Sequence, residues 1–421
     1  VSFARAAGSA PGRLLVILLL AALGYLTARL AGVRDLSHSG FYLYAATLLL
    51  AVGLYGSTHD ISPMDARRNA RTVIGAVTLG VLGKAVLISA ATFLLFRQPV
   101  YLVLGVAVAQ IDPLSVAAMA GRSAMSDRAK AILAAWASFD DPVTVVLTIY
   151  AATFALKVLS GRAGGAYGVS AAGGVLGYAA NIGANVAFAV VAAAICALIP
   201  AARERGRRYS AVPLRAARTQ QVLAVGALAG LAAIAVWRFW LLGVALIGLF
   251  FRPAVIARWL DRVVRAAFVL ATFALGLLLG QGIDVLHGVT LGAVAFVAQA
   301  VVSLAFARDL PTSDRVRLAL GQQNGITAII LALLLQPLFP QAIAIVGPAV
   351  LAINAANIAT NSVWDHRRRV RGWLRPVLAA CRGVGQRSGE SAVVAGPGAV
   401  ERCPVNSTAQ AVERVPRVGA T

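Results

Sequence analysis

A chain of 421 residues that is 59% hydrophobic and only 13% charged is not an ordinary soluble domain, because such domains carry about 25% charged residues. Its net charge of +22 would suit nucleic acid, but the arginines are spread between apolar runs instead of gathered on one face, which argues against that partner. Cys196, Cys381 and Cys403 have neither metal spacing nor a disulfide framework, and no nucleophile elbow, phosphate loop or His/Glu metal motif points to an enzyme or a bound cofactor.

Apolar runs of bilayer length recur from Leu14 to Trp364. They predict an all-α polytopic membrane protein with about twelve transmembrane helices, near 14–31, 41–57, 72–96, 101–120, 129–156, 172–200, 219–236, 238–251, 263–281, 288–307, 316–336 and 341–363. The first run reaches transmembrane length and reads as a retained helix, not a cleaved signal. The crowded stretch from Thr219 to Phe251 reads as two short helices or one long bent one. Lys and Arg gather in the even-numbered connections, so the positive-inside rule places those connections and both termini in the cytoplasm, with a bacterial inner membrane expected. Residues 1–363 form the transmembrane domain. From Trp364 the sequence becomes Arg-, Gly-, Ser- and Val-rich, and 364–421 is expected to be a disordered basic cytoplasmic tail near anionic lipid.

Three acids fall well inside these spans: Asp112 in the fourth, and Asp140 with Asp141 in the fifth. A charge at membrane depth costs at least a few kcal/mol, and ionisable groups kept there line ion or proton paths. Asp284, just past the ninth span, reads as interfacial. Asp112 precedes Pro113 and Asp141 precedes Pro142; each proline frees a carbonyl four residues back, at Ala109 and Ser138. Free carbonyls beside carboxylates suit a hard monovalent cation, although a simple kink is the other reading of each proline. Neighbouring helix positions point about 100° apart, so Asp140 and Asp141 address different partners, and protonation can compete with cation binding at one of them.

The eleventh span reads Gly321-Gln322-Gln323-Asn324-Gly325-Ile326-Thr327, a helix broken at mid-membrane. The twelfth places Asn354, Asn357 and Asn361 on one face, where helix–helix hydrogen bonding is the competing explanation. Spans three to five and ten to twelve follow the same order: nearly uninterrupted apart from Lys84 or Gln299, then broken, then polar. The first triplet starts inside and the second outside, the mark of inverted-topology repeats.

On these residues the chain resembles the monovalent cation–proton antiporter superfamily, the sodium–proton exchanger-like membrane proteins, over roughly Leu14 to Trp364. Gly53-Leu54 through Arg67-Arg68-Asn69 is similar to the family's second-to-third helix connection. Gln110-Ile111-Asp112-Pro113-Leu114 resembles its Thr-Asp-Pro-Val motif, Phe139-Asp140-Asp141 its ion-site pair, and Gly321 to Thr327 its broken eleventh helix. The resemblance implies a dimerisation domain, a mobile core (helices about 72–200 and 288–363), alternating access, and exchange of Na⁺ or K⁺ for H⁺ by a homodimer in the lipid bilayer. It makes Asp141 the ion-binding carboxylate, with Asp140, Asp112 and Ser138 beside it and Lys84, Gln299, Gln323, Asn324 and Asn357 in support. An Asp at 140 resembles the electrogenic branch. Two positions depart from the pattern. Ile111 stands where a Thr is expected, and Gln299 where the tenth helix commonly carries a base, leaving Lys84 as the candidate counter-charge for Asp140 or Asp112. A non-transporting or channel-like relative, and an organic-anion symporter, are the competing readings.

Overall fold

The computed structural model describes residues 10–32, 36–59, 75–112, 116, 125–160, 165–166, 169–170, 174–197, 214–252 and 254–390. The chain divides into two units, 1–362 and 363–421. In the first, α1 (Ala10–Ala31) and α2 (Gly40–His59) precede a π-helical stretch, Ala76–Leu82, that leads into α3 (Gly83–Phe96). The short α4 (Val100–Ala107) is followed by α5 (Asp127–Ser160), α6 (Gly174–Ala197), α7 (Leu214–Arg238) and α8 (Leu241–Phe250). Then come α9 (Ala254–Leu279), α10 (Val285–Phe306), α11 (Thr312–Ala319), α12 (Ile326–Leu335) and α13 (Ala342–Glu390). The only strands among the described residues are Gly165–Ala166 and Val169–Ser170, paired antiparallel.

Seven of the described helices are long and apolar enough to cross a membrane, and shorter apolar helices such as α8 and α12 fill the bundle between them. The crowded stretch is two helices. Its break falls at Phe239, whose φ of 55° is left-handed, and the Trp240 N–H returns to the Ala235 carbonyl at 2.8 Å, closing α7. The boundary expected between the spans ending at 236 and starting at 238 lies just before it, although no glycine marks the turn. The ninth span begins earlier than predicted, at Ala254. Its first turns are amphipathic, with Leu260, Val264 and Ala267 buried and Arg258, Arg262 and Arg265 exposed. A charged face removes the hydropathy signal without removing the helix.

Close backbone contact joins α1 to α9. A Cβ on Gly24 would run into the Phe273 carbonyl, and one on Gly276 into that of Ala21, the small-residue packing that brings membrane helices together. In the second unit, α13 continues as helix through Glu390, against the expectation of an irregular tail from Trp364. Arg, Leu and Ala are good helix formers; charge interrupts the apolar pattern there, not poor propensity. The rest of the expected tail, 391–421, lies outside the described residues, as do Pro113 and the Arg67-Arg68-Asn69 connection.

Asp284 caps α10. Its carboxylate accepts from the His287 N–H at 3.2 Å, and its own N–H donates to the Ala344 carbonyl at 3.0 Å. The His287 ring reaches the second carboxylate oxygen at 2.7 Å and lies 4.7 Å from the Phe96 ring. Burial, the largest single influence, raises the Asp284 carboxyl; the side-chain and backbone contacts and charge of His287 together more than reverse it, leaving it below the ordinary carboxylate range. A group depressed in the folded state stabilises above its unfolded pKa and loses that contribution as pH falls through the folded one. Asp284→Ala therefore lowers the thermal midpoint at neutral pH, by the ~1 kcal/mol typical of a lost cap, and the wild-type advantage shrinks on acidification below the ordinary carboxylate range. Equal midpoints at neutral pH would remove the cap from the stability account.

Candidate functional site

Two chain segments leave the helical path and meet. After α4 the chain runs extended through Ala109–Asp112; after α11 it runs extended from Gly321 to Gly325 before α12. A helix broken inside an apolar bundle leaves carbonyls and amides that water cannot reach, and side chains of the bundle satisfy several of these carbonyls. Gln322 Nε2 donates toward the Val108 and Gln110 carbonyls (3.3 and 2.9 Å), and Asn324 Nδ2 also reaches Val108 (3.1 Å). Gln110 Nε2 takes the Ala107 carbonyl at 2.9 Å. Across the break, Asn357 and Asn361 donate to the Leu320 carbonyl (2.6 and 3.1 Å), while Gln299 and Ser303 both donate to Leu318 (3.2 Å each). The two extended segments also bond directly, Asp112 N–H to the Gln323 carbonyl at 2.8 Å. Asn354 both accepts from the Asn324 N–H and donates to the Asn324 carbonyl (3.2 and 2.9 Å), and Gln323 Nε2 donates to Asn357 at 2.8 Å.

Asp112 lies against Gly325, the N-cap of α12, so closely that a Cβ there would collide with its carboxylate. A carboxylate at a helix N-terminus meets unpaired N–H groups and the positive end of the dipole. Only glycine leaves it that room.

Lys84 and Asp140 face each other from α3 and α5 in an ion pair of 2.9 Å, with both side chains 0% exposed. Lys84 Nζ is also 3.4 Å from Gln322 Oε1 and 5.5 Å from the centre of the Trp136 ring, within cation–π range. Trp136 stands one turn before Asp140 on α5 and is pressed against Gly80 of the π-helical stretch, where a Cβ would come within 2.7 Å of the indole. The π-helical turns end just before Lys84, and such turns shift the face a helix presents. Asp140 Oδ1 accepts from Thr144 Oγ1 at 3.2 Å, and the Ile111 N–H faces the same carboxylate.

Asp141 is placed differently. One oxygen, Oδ2, accepts from Thr327 Oγ1 at 2.9 Å; the other, Oδ1, has no hydrogen-bond partner among the described residues, although the residue is only 2% exposed. Asp112 is close enough for its charge to act on Asp141. A buried carboxylate oxygen left unsatisfied by protein costs desolvation, and chemically it accepts either a proton or a hard cation.

Asp112, Asp140, Asp141, Lys84, Gln323, Asn324 and Asn357, all singled out from sequence, thus meet at the crossover. Gln299 instead bonds Ser303 Oγ (3.0 Å) and Leu318, on the shoulder of the break. Ser138 lies within α5, but its side chain is outside the described residues. Sequence reasoning passed over Thr327, Thr144, Trp136 and Gln322 as individual site residues. The i, i+4 spacing of Asp140 and Thr144 was the one available signal.

No family model and no curated protein matches this chain. Solved structures do. The sodium proton antiporter MjNhaP1 from Methanocaldococcus jannaschii, determined at pH 8, superposes with a TM-score of 0.61 over 82% of this chain and 92% of that one, at 15% identity. The chain is an all-helical integral membrane protein with the fold of that antiporter.

Proposed function

We propose that this chain, built on a sodium/proton antiporter fold, is a secondary active exchanger of a monovalent cation, Na⁺ or K⁺, for protons. The observation that carries this reading is the asymmetry of the aspartate pair: Asp140 is compensated by Lys84, whereas Asp141 keeps an oxygen without a partner among the described residues. Asp141 is then the exchange carboxylate. A cation on it excludes a proton and a proton excludes a cation, so each crossing carries one or the other. Thr327 donates to its second oxygen and fixes its orientation. Asp112 strengthens the local field for a cation while sitting on the α12 N-terminus.

Alternation of access follows from the arrangement of two broken helices in opposed triplets. The core around residues 72–200 and 288–363 moves against the remaining helices, the chain acts as a homodimer, and both termini face the cytoplasm of a bacterial inner membrane. Vesicles holding the purified chain and a pH-sensitive dye test this reading. An outward gradient of Na⁺ or K⁺ is expected to drive proton uptake, with one cation preferred. Vesicles that show no cation-driven proton movement with Na⁺, K⁺ or Li⁺ would overturn it in favour of a non-transporting relative.

A further inference from the structure

Beside the crossover lies a cavity of about 40 Å³, room for only a few waters. Its polar wall belongs to the crossover: Asp112, Gln323, Asn354 and Asn357, with Ile358 nearby. Its opposite wall is α1, which contributes Arg13. Arg13 and Asp112 are the two charged residues of the lining, and their charges meet at 3.8 Å, with the Arg13 side chain 28% and the Asp112 side chain 10% exposed.

Three features of this contact set it apart from the Lys84–Asp140 pair. It joins α1, outside the two opposed triplets, to the centre of the crossover, so it spans a junction across which exchange requires movement. Its length exceeds that of a charge-assisted hydrogen bond, about 2.7–2.9 Å, and its partial exposure weakens it further. Finally, guanidinium does not deprotonate in proteins, so the contact opens by displacement and not by titration.

We infer that Arg13 is a tethered cation guarding one mouth of the exchange site: it occupies Asp112 in place of the incoming ion and swings aside for the ion to pass. The inference rests on the exchange reading and adds to it a gate on one face only. Arg13 lies near the start of α1, on the side of the membrane that the Arg-rich connections assign to the cytoplasm. At 3.8 Å the pair lacks the short contact of a charge-assisted hydrogen bond, which suits a residue that must open in every cycle.

The test compares inside-out with right-side-out membrane vesicles carrying wild-type chain, Arg13→Ala or Arg13→Lys. Arg13→Ala is expected to lower the half-saturating cation concentration at the cytoplasmic face by about two- to five-fold, in line with the modest worth of a partly exposed ion pair. The value at the other face stays unchanged, and Arg13→Lys behaves nearly as wild type. Equal shifts at both faces, or none at either with exchange intact, would overturn the gate.

A second measurement needs no transport. In a chain with Cys196, Cys381 and Cys403 changed to Ser, Ile358→Cys reports the cavity through its reaction with a membrane-impermeant thiol reagent. Adding Arg13→Gln, which keeps side-chain bulk, should speed that reaction several-fold; an unchanged rate sinks the gate even if Arg13→Ala fails to fold. Absence of exchange in the wild-type vesicles, by contrast, would remove the exchange reading while the thiol rate still reports on Arg13.

Discussion

Asp141→Asn abolishes cation-driven proton movement, to the level of protein-free vesicles, and leaves the protein folded. The substitution keeps the size and planarity of the side chain, and its amide oxygen can still accept from Thr327 Oγ1, which now lies 2.9 Å from Oδ2. What disappears is the negative charge and with it the choice between proton and cation. Stability should rise slightly if it changes at all, because a carboxylate with one unsatisfied oxygen at 2% exposure is replaced by a neutral group with a lower desolvation cost. Thermal midpoint and flux are measured on the same preparation. Exchange that survives in a normally folded Asp141→Asn protein would move the ion site elsewhere; loss of flux with loss of folding would be uninformative only until the neutral Asp141→Thr variant is compared.

The second large effect concerns Lys84, where the expected damage is to folding before transport. Removing the ammonium by Lys84→Ala leaves Asp140 buried at 0% exposure, with Thr144 and the Ile111 N–H as its remaining hydrogen-bond partners among the described residues. Breaking a buried pair from one side typically costs about 3–5 kcal/mol, and a cavity beside Trp136 adds to it. A large drop in the detergent-solubilised thermal midpoint is therefore expected. The double variant Lys84→Met/Asp140→Leu removes both charges and fills the space, so it should recover most of the loss, because an apolar pair of similar volume is often as stable as a buried ion pair. If the double variant is as unstable as the two single changes added together, the residues are not energetically coupled. Cation-driven flux in the recovered double variant would further separate the compensated aspartate from the exchanging one.

Much of this site was legible in the sequence because the bilayer makes it so. Hydropathy marks the spans, and an acid inside a span is conspicuous for its cost. The resemblance led to a base expected in the tenth helix, where Gln299 stands, and so to its inverted-repeat counterpart Lys84 as counter-charge for Asp140 or Asp112; Lys84 Nζ lies 2.9 Å from Asp140. Other contacts left no trace in local pattern. Thr327 reaches Asp141 and Gln322 reaches Gln110 across separations of 186 and 212 residues, and only the crossing of the two extended segments brings them together. The π-helical stretch before Lys84 was equally invisible, since a change in residues per turn has no composition of its own. Nothing in the local pattern singles out Arg13, because its contact with Asp112 is set by tertiary packing. The helix beyond Trp364 was missed for a different reason: charge interrupts the apolar pattern there without lowering helix propensity.

The amide lattice at the crossover also constrains how the protein is made. Residues 108–112 enter the bilayer early, yet the Gln322 side chain that satisfies the Val108 and Gln110 carbonyls is more than 200 residues downstream. At about 5–20 residues per second of synthesis, those carbonyls wait on the order of 10–40 s in a membrane that offers no substitute donor. The nascent first half must then shelter its broken helix against the insertion machinery or trapped water until the second half arrives. Both halves are needed to satisfy these backbone carbonyls, so the crossover forms late and only once both segments are present.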